Sequence, residues 1–358
     1  MKHLLLSLTL LSVMLLSACG ATNEENNSEA ENEGQVNDPT ENTDSNAESE
    51  NSENEATETD TSDSEAAYPV TIEHALGETT LEEKPERIVV LEWVYGENLL
   101  ALGLEPVGMA DIEGYNAWVN VEPELSADVV DVGTRQEPSL EEIARLEPDL
   151  IISASFRHEA IQSELENIAP TVMFNPYPEE GEQDQYEEMV TTFETMATAL
   201  GEEEKAAEVL GNLESTYEEV AAGIEESENA GNGFVLSQAF SANETATLRL
   251  FTDNAMAVQI LENVGMSNAF DGSDFELYGY SETSVESLQP YQDANFIYIV
   301  QDEDNVFENQ LAGNSVWEGL SFVEEERTYA LPGDTWVFGG PLAAEVFAEE
   351  ILQLFSEE

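Results

Sequence analysis

The sequence predicts an α/β fold made of two similar lobes with a ligand cleft between them. The stretch 129–158, VVDVGTRQEPSLEEIARLEPDLIISASFRH, has two short β-rich apolar runs, 129–132 and 150–154, flanking an amphipathic segment that Ser139 opens. This pattern is typical of strand–helix–strand, the unit of a parallel sheet covered by helices. The same order of elements recurs after residue 233, and a strand-free helical segment separates the two halves.

The composition excludes one class of partner. The chain has 358 residues with 9 Lys+Arg against 78 Asp+Glu, a formal net charge of -69. Nucleic acid is excluded as a partner because phosphate binding needs a basic face. The acidity fits either a large partner-binding surface or adaptation to concentrated salt, which screens self-repulsion. Because the acids are spread through every segment, we favour the second explanation.

The N-terminal segment predicts export and lipidation. Residues 1–19 combine Lys2, an apolar run at 4–16 and small residues before Cys19. The run is too short for a comfortable transmembrane helix and suits a signal peptide. Leu16-Ser17-Ala18-Cys19 resembles the lipobox of bacterial lipoproteins, so we expect Cys19 to carry the lipid. A single cysteine also leaves no internal disulfide and no cysteine-ligated metal cluster.

Residues 20–67 are Asn, Glu, Ser, Thr and Asp with almost no large apolar residue. Nothing there can be buried to offset the ordering entropy, so the sequence predicts a disordered acidic tether. Folded sequence then begins near Tyr68, and the first lobe is predicted over 68–183. Its expected elements are a hairpin around Gly77, strands at 87–93, 106–109, 129–132, 150–154 and 171–174, and helices at 96–102, 139–146 and 159–168.

The second half begins with two predicted helices broken at Gly201. The first, 184–200, is expected to connect the lobes, and 201–358 is expected to form the second lobe. A strand at 234–240 is followed by a helix at 254–263. Val264-Gly265-Met266 echoes Val107-Gly108-Met109, and 281–300 repeats the order helix then strand.

Several segments together resemble a known family. The lipobox, the acidic tether, PERIVVLEW, GTRQEPSLEEIARLEPDLII, LRLFTDN and TWVFGGPLA are similar to those of ferric-siderophore substrate-binding lipoproteins of bacterial ABC importers, of the iron-hydroxamate or iron-citrate type. The resemblance covers residues 68–358. It implies two Rossmann-like lobes joined by one long helix, as in class III periplasmic binding proteins, with little hinge motion. It also implies delivery of an iron chelate to a membrane permease driven by a cytoplasmic ATPase.

Arginines and aromatic residues are the candidate ligand contacts. Arg135 and Arg157 fall just past the carboxyl ends of predicted strands, where ligands of parallel sheets bind. A guanidinium fork donates to carboxylate or hydroxamate oxygens without losing its charge. The resemblance adds Arg249 to these two. The aromatic candidates are Trp93, Tyr95, Trp118, Tyr280 and Trp336. The alternatives are a surface salt bridge for each arginine and core packing for each ring. Arg87, Arg145 and Arg327 are assigned structural roles.

Two glutamates and two histidines receive separate roles. Glu141 and Glu286 occupy equivalent positions in the two halves, and the resemblance implies docking to permease arginines; the alternative is a solvated helix face. His74 and His158 are the only histidines after the predicted signal peptide, which is too few for direct manganese or zinc binding. His158, next to Arg157, could hydrogen-bond a ligand or be an exposed residue at a helix start, and we expect the second.

The sequence therefore predicts a binding protein that captures a ferric siderophore of the hydroxamate or citrate-hydroxamate type. We expect a monomer with no cofactor of its own, lipid-anchored outside the membrane, as on a Gram-positive cell surface. No GxSxG, HExxH, GxGxxG or phosphate loop occurs, so no enzyme is predicted. The alternatives are a corrinoid or haem carrier of the same importer type, and a surface lipoprotein with no transport role.

Overall fold

The computed structural model describes residues 68–227, 230–272 and 275–356. The predicted signal peptide with Cys19 and the predicted tether at 20–67 lie outside the described residues. The helices are α1 Trp93–Ala101, α2 Ile112–Trp118, α3 Leu140–Arg145, α4 Ser155–His158, α5 Gln162–Glu166, α6 Gln185–Leu200, α7 Glu203–Glu225, α8 Met256–Asn263, α9 Val306–Asn309, α10 Ser321–Glu324 and α11 Pro341–Ser356. The strands are β1 Val70–His74, β2 Gly77–Leu81, β3 Ile88–Val90, β4 Gly108–Met109, β5 Val130–Asp131, β6 Leu150–Ala154, β7 Thr171–Phe174, β8 Phe234–Ala242, β9 Thr245–Phe251, β10 Tyr280–Thr283, β11 Asn295–Val300 and β12 Thr328–Leu331.

The first lobe is the predicted parallel sheet. Its strands run in the order β5-β4-β3-β6-β7, and every pairing is parallel. The chain winds one way from β3 to β5 and the other way from β6 to β7. The order therefore reverses between β3 and β6, and a crevice opens outside their carboxyl ends. The hairpin β1–β2 around Gly77 is also as predicted.

The second lobe has the same strand order but a different pairing. Its sheet runs β10-β9-β8-β11-β12, with β8, β11 and β12 parallel and β9 antiparallel to both of its neighbours. The prediction had no strand at β9 and is wrong there. A tight turn at Asn243 and Glu244, with φ of 51° and 63°, returns the chain along β8.

The proposed echo between the halves also fails at Val264-Gly265-Met266, which forms no strand. Gly265 has a φ of 88° and ends α8, and its backbone N–H bonds to Glu262. In the first lobe, by contrast, Gly108 lies inside β4. A glycine between two apolar residues thus lies in a strand in one lobe and at the end of a helix in the other. The local sequence alone does not distinguish these two structures.

Several predicted boundaries shift because of particular residues. The strand predicted over 87–93 ends at Val90, because the Glu92 side chain caps α1 and the helix starts at Trp93. The helix predicted at 159–168 is a 3₁₀ turn, Glu159–Ile161, followed by α5. The helix predicted after Ser281 is a 3₁₀ segment, Val285–Tyr291, which contains Pro290.

Helix α6 lies between the two lobes in the chain, and it ends at Gly201 in the left-handed conformation. Its Phe193 and Met196 lie in the core of the first lobe, while Met189 lies in the core of the second. Because one helix contributes to both cores, its position fixes the spacing of the lobes.

A second connection, which the sequence did not predict, is α11. Its Phe347 and Ile351 belong to the second-lobe core, whereas Ala343 packs in the first-lobe core. At its start, the backbone N–H groups of Gly340 and Ala343 each donate to the Glu97 carboxylate of α1 over 2.8 Å. Within the described residues, no helix is both long and apolar enough to cross a membrane.

Candidate ligand-binding cleft

Two adjoining cavities open where the carboxyl ends of the strands of both lobes meet. The smaller holds about 180 Å³ and the larger about 460 Å³. Their walls share Arg135, Arg249, Trp336 and Phe338. We call the two cavities together the cleft. In each lobe the crevice lies where the strand order reverses, between β3 and β6 and between β8 and β11.

Arg135 and Arg157 converge on one carboxylate in the first lobe. Arg135 Nη1 lies 2.7 Å from Glu92 Oε1, and Arg157 Nε lies 2.5 Å from Glu92 Oε2. Arg135 Nε also lies 3.3 Å from Asp111 Oδ2. Its guanidinium stacks 3.3 Å from the centre of the Trp93 ring. Glu92 is buried, so it holds both guanidinium groups at the wall of the cleft.

Arg249 reaches the cleft from β9 in the second lobe. Its Nε lies 3.1 Å from Glu282 Oε1, and its Nη1 donates to Gln238 Oε1 over 3.2 Å. The guanidinium also lies over the Tyr280 ring, 4.5 Å from its centre. A position at the cleft and a salt bridge, the two alternatives for each arginine, therefore occur together. Each predicted arginine forms a salt bridge, yet the side chains keep 16%, 23% and 28% exposure for Arg135, Arg157 and Arg249.

The aromatic wall centres on Trp336, which lines both cavities. Its ring lies 5.1 Å from Trp93 and 5.4 Å from Phe338, edge to face in each case. Tyr280 continues the wall 6.2 Å from Phe338. Trp118 lines the larger cavity. These rings offer rigid apolar contact area to a ligand.

Trp93 and Tyr95 are less available than the prediction implied. Trp93 is 3% exposed and Tyr95 is fully buried, and both belong to the core of the first lobe. Tyr95 lines the smaller cavity and Trp93 the larger one, with little accessible surface in either case. The core-packing alternative thus describes most of both side chains. Ligand contact by all eight predicted residues stays a prediction, although every one of them lines the cleft.

The prediction of an exposed His158 is wrong. His158 is 1% exposed, with Nδ1 2.7 Å from Ser153 Oγ and Nε2 2.7 Å from the backbone oxygen of Arg135. Desolvation lowers the pKa of this imidazole. The ring holds the loop that carries Arg135 against the end of β6, so His158 positions a cleft residue without reaching the cleft itself.

Sequence reasoning missed several residues of the smaller cavity: Glu92, Phe156, Tyr177 and Glu188. Phe156 and Tyr177 follow the carboxyl ends of β6 and β7, and their rings lie 5.1 Å apart. Their place after strand ends was a usable signal. Glu92 and Glu188 gave no comparable signal, because acids occur throughout this sequence.

Glu188 projects from α6 into the smaller cavity and is 8% exposed. Thr192 Oγ1 donates to its Oε1 over 2.5 Å. Burial raises the pKa of this carboxyl to about 7.

The remaining predicted arginines are structural, as expected. Arg87 donates to the backbone oxygens of Leu146 and Glu147 at the end of α3. Arg145 pairs with Glu142 over 2.7 Å on the helix surface. Arg327 pairs with Glu325 over 2.9 Å. It also donates to backbone oxygens between the end of the 3₁₀ segment and β11.

The two predicted docking glutamates are exposed, one on each lobe. The Glu141 side chain on α3 is 87% exposed and lies 3.4 Å from Arg145. Glu286 is the second residue of the 3₁₀ segment Val285–Tyr291 and accepts a hydrogen bond from Ser284 Oγ over 2.6 Å. Exposure leaves both carboxylates accessible to a partner, and docking stays a prediction. Within the described ranges, no group of three or more His, Cys, Asp or Glu side chains converges to hold a metal ion.

Two α/β lobes, a bridging helix and a cleft walled by arginines and aromatic rings define a two-lobed binding protein. The Periplasmic binding protein family matches residues 88–335, and the chain belongs to this family. This confirms the predicted class of fold and protein.

Individual relatives are named for the iron chelates that they bind. The chain is 30% identical over 278 residues to an Fe(3+)-citrate-binding protein, YfmC, of Bacillus subtilis, covering 77% of this chain and 83% of the relative. It is also 30% identical over 270 residues to the iron(3+)-hydroxamate-binding protein FhuD of Escherichia coli, covering 74% and 84%. Among solved structures, the Fe3+–Desferal-bound siderophore binding protein FhuD of Vibrio cholerae superimposes with a TM-score of 0.67 at 28% identity. That match covers 75% of this chain and 97% of the other.

Proposed function

We propose that this protein captures a ferric siderophore, of the hydroxamate or citrate-hydroxamate type, and delivers it to the permease of an ABC importer. The observation that carries the proposal is the convergence of Arg135, Arg157 and Arg249 with the Trp336 wall on one cleft between the lobes. The named ligands of the relatives, ferric citrate and ferric hydroxamate, support the same ligand class.

The chemistry of the cleft suits a chelate better than a bare ion. A siderophore already surrounds its iron with oxygen atoms, so the protein has to recognise an oxygen-rich shell. Guanidinium groups donate to such oxygens, and flat rings cover the apolar remainder of the chelate. The cleft offers both side by side, since Arg135 lies over Trp93 and Arg249 lies over Tyr280.

The cleft is tested by replacing Arg157 and Arg249 together with Ala and titrating ferric siderophores against intrinsic tryptophan fluorescence. Trp336 and Trp118 line the cleft and report on its occupancy. We expect affinity to fall by well over tenfold, since each charge-assisted contact contributes roughly 1.5–3 kcal/mol. Arg145→Ala, on an exposed helix surface, is the matched control. Unchanged affinity in the double variant rejects the site, and a response to cobalamin or haem instead of ferric siderophores redirects the assignment.

We further propose that Cys19 is lipidated and anchors the protein outside the cytoplasmic membrane, as on a Gram-positive cell surface, with residues 20–67 as the tether. In this arrangement the protein works as a monomer. Cys19→Ala in the full chain should release the protein from the membrane fraction of expressing cells. Retention of the variant in that fraction contradicts the anchor.

Glu141 and Glu286 are proposed to dock the loaded protein on permease arginines. Replacing both with Ala should reduce iron uptake in cells while leaving siderophore affinity unchanged, because neither residue lines the cleft. Glu142→Ala, on the same helix as Glu141, is the control. Normal uptake in the double variant excludes docking through these carboxylates.

A further inference from the structure

The smaller cavity ends in an acidic site to which the arginine cleft assigns no role. Glu188 is buried there on the connecting helix, and its hydrogen-bond partner is the hydroxyl of Thr192. Among the described residues, no Lys, Arg or His side chain forms an ion pair with it. An unpaired buried carboxylate is unfavourable unless a cation or strong donor meets it.

Two further polar atoms of the same cavity lack partners. Tyr95 Oη and Asn98 Oδ1 are both fully buried, and neither has a hydrogen-bond partner within the described part of the chain. Both residues line the smaller cavity together with Glu188. Buried polar groups are nearly always hydrogen-bonded, so partnerless acceptors beside a cavity indicate a site that a ligand completes. The Glu188 carboxylate and the Asn98 amide oxygen accept only, and the Tyr95 phenol oxygen can accept as well as donate, so together they match a donor-rich cation.

Apolar side chains form part of the wall of the smaller cavity, beside its polar residues. They include Phe156, Tyr177 and Met256. Tyr177 packs edge to face against Phe156 at 5.1 Å and against Tyr278 at 4.9 Å. A cavity whose wall combines these apolar groups with the buried Glu188 carboxylate fits an alkyl chain that terminates in an ammonium group. The larger cavity, on the other side of Arg135, Arg249 and Trp336, has the volume for the bulk of a chelate.

The charges of the cleft point to the same ligand. The three cleft arginines are balanced by their ion-pair partners Glu92, Asp111 and Glu282, and the cleft walls add Glu188 and Asp304. Three positive and five negative side chains give no net positive charge. The chain as a whole carries a formal charge of -69, which repels anions at low salt. This balance disfavours polyanionic ferric citrate and favours an uncharged or cationic chelate.

Resting on the ferric-siderophore function proposed above, we infer that the smaller cavity is a subsite for the alkylammonium arm of a ferric hydroxamate chelate, with Glu188 as its counter-ion. The iron centre with its neutral hydroxamate shell then lies at the arginines and Trp336. The aliphatic arm passes Phe156 and Tyr177, and its ammonium group donates to Glu188 and Asn98. The ligand class is thus a hydroxamate siderophore with a free primary amine.

The test compares two chelates that differ only at the amine: Fe3+–Desferal, whose chain ends in a primary amine, and its N-acetylated form. Both are titrated against wild-type protein and Glu188→Gln by tryptophan fluorescence. We expect wild type to bind the free amine at least about tenfold more tightly than the acetylated chelate. Glu188→Gln should remove this preference, so that the variant binds both chelates with similar affinity. Glu194→Gln, exposed on the same helix, should behave as wild type.

The outcomes separate the two proposals. Equal affinity of wild type for both chelates overturns the ammonium subsite while leaving ferric-siderophore binding intact. Equal loss of both affinities in Glu188→Gln also overturns it, because the residue then acts on the whole chelate. Absence of binding to any ferric chelate removes the proposed function together with the subsite. The comparison on wild type needs no variant, so a folding defect in Glu188→Gln does not obscure the result.

Discussion

Replacing Glu97 with Ala should destabilise the protein, because it disconnects the two lobes at a buried point. Glu97 lies in α1 of the first lobe and is fully buried. Its two oxygens accept hydrogen bonds from the backbone N–H groups of Gly340 and Ala343, 2.8 Å away in each case. These donors belong to the start of α11, where the helix leaves its N–H groups unpaired and carries partial positive charge.

The magnitude follows from what the substitution leaves behind. Each buried N–H group that loses its acceptor costs about 1–3 kcal/mol, and two are orphaned. The alanine also leaves a void where the carboxylate was. Alanine also removes the unfavourable burial of a carboxylate, which offsets part of this loss of stability. The same burial raises the pKa of Glu97 to about 7. The expected loss in the free energy of unfolding is about 2–4 kcal/mol.

The assay is urea unfolding of wild type and Glu97→Ala, followed by tryptophan fluorescence and by circular dichroism. The midpoint should move to lower urea in the variant. Glu113→Ala, whose carboxylate lies on the exposed first turn of α2, serves as the control and should unfold as wild type does. An unchanged midpoint in Glu97→Ala would falsify the view that this carboxylate holds α1 to α11.

Three further predictions concern pH, an imidazole and a glycine. Burial raises the pKa of Glu97 from its ordinary value of 4.5 to about 7, so between these values the folded state binds the extra proton. Stability should therefore fall as pH rises through this range, by about 3 kcal/mol from this group. In Glu97→Gln, the urea midpoint should change less with pH across that range than in wild type. An unaltered slope speaks against the raised pKa. His158→Ala should cost about 2–5 kcal/mol in thermal unfolding and weaken siderophore binding through Arg135, since it orphans a buried hydroxyl and a carbonyl; wild-type behaviour in both assays contradicts the positioning role. Gly279→Ala should cost about 2–4 kcal/mol, because its φ is 73° and a Cβ there would lie 2.9 Å from Ala255 Cα; a wild-type melting temperature refutes that strain.

Local patterns were sufficient for the architecture of the first lobe. The alternation of short apolar runs and amphipathic segments gave β3 to β7 in parallel order, because a strand–helix–strand unit is readable over about 30 residues. The break at Gly201 was readable for the same reason, since a glycine between two helical patterns ends the first helix. Arg135 and Arg157 followed from this order, because residues after parallel strands meet at one edge of the sheet.

In the second lobe, local sequence patterns were not sufficient to predict the strand pairing. β9 pairs antiparallel with β8 through a turn at Asn243 and Glu244, and it replaced the expected repeat of the first lobe. The segment TATLRLF alternates polar and apolar residues, as a half-buried strand should, so the sequence does carry a local signal for β9. The short 3₁₀ and α-helical turns after β11 likewise follow from tertiary packing and not from periodicity.

The sequence by itself determined the binding-protein class, the connecting helix and the arginines and rings that surround the cleft, because these depend on residue type and on position relative to strand ends. Only the tertiary structure decided which acids matter. Among the acidic residues that the structure describes, Glu92, Glu97 and Glu188 are distinguished by burial against partners far away in the chain. Burial of a carboxylate is a property of the packed neighbours around it, and no local pattern encodes those neighbours. The same reason explains His158, whose two partners become adjacent only when the loop of Arg135 folds onto the end of β6.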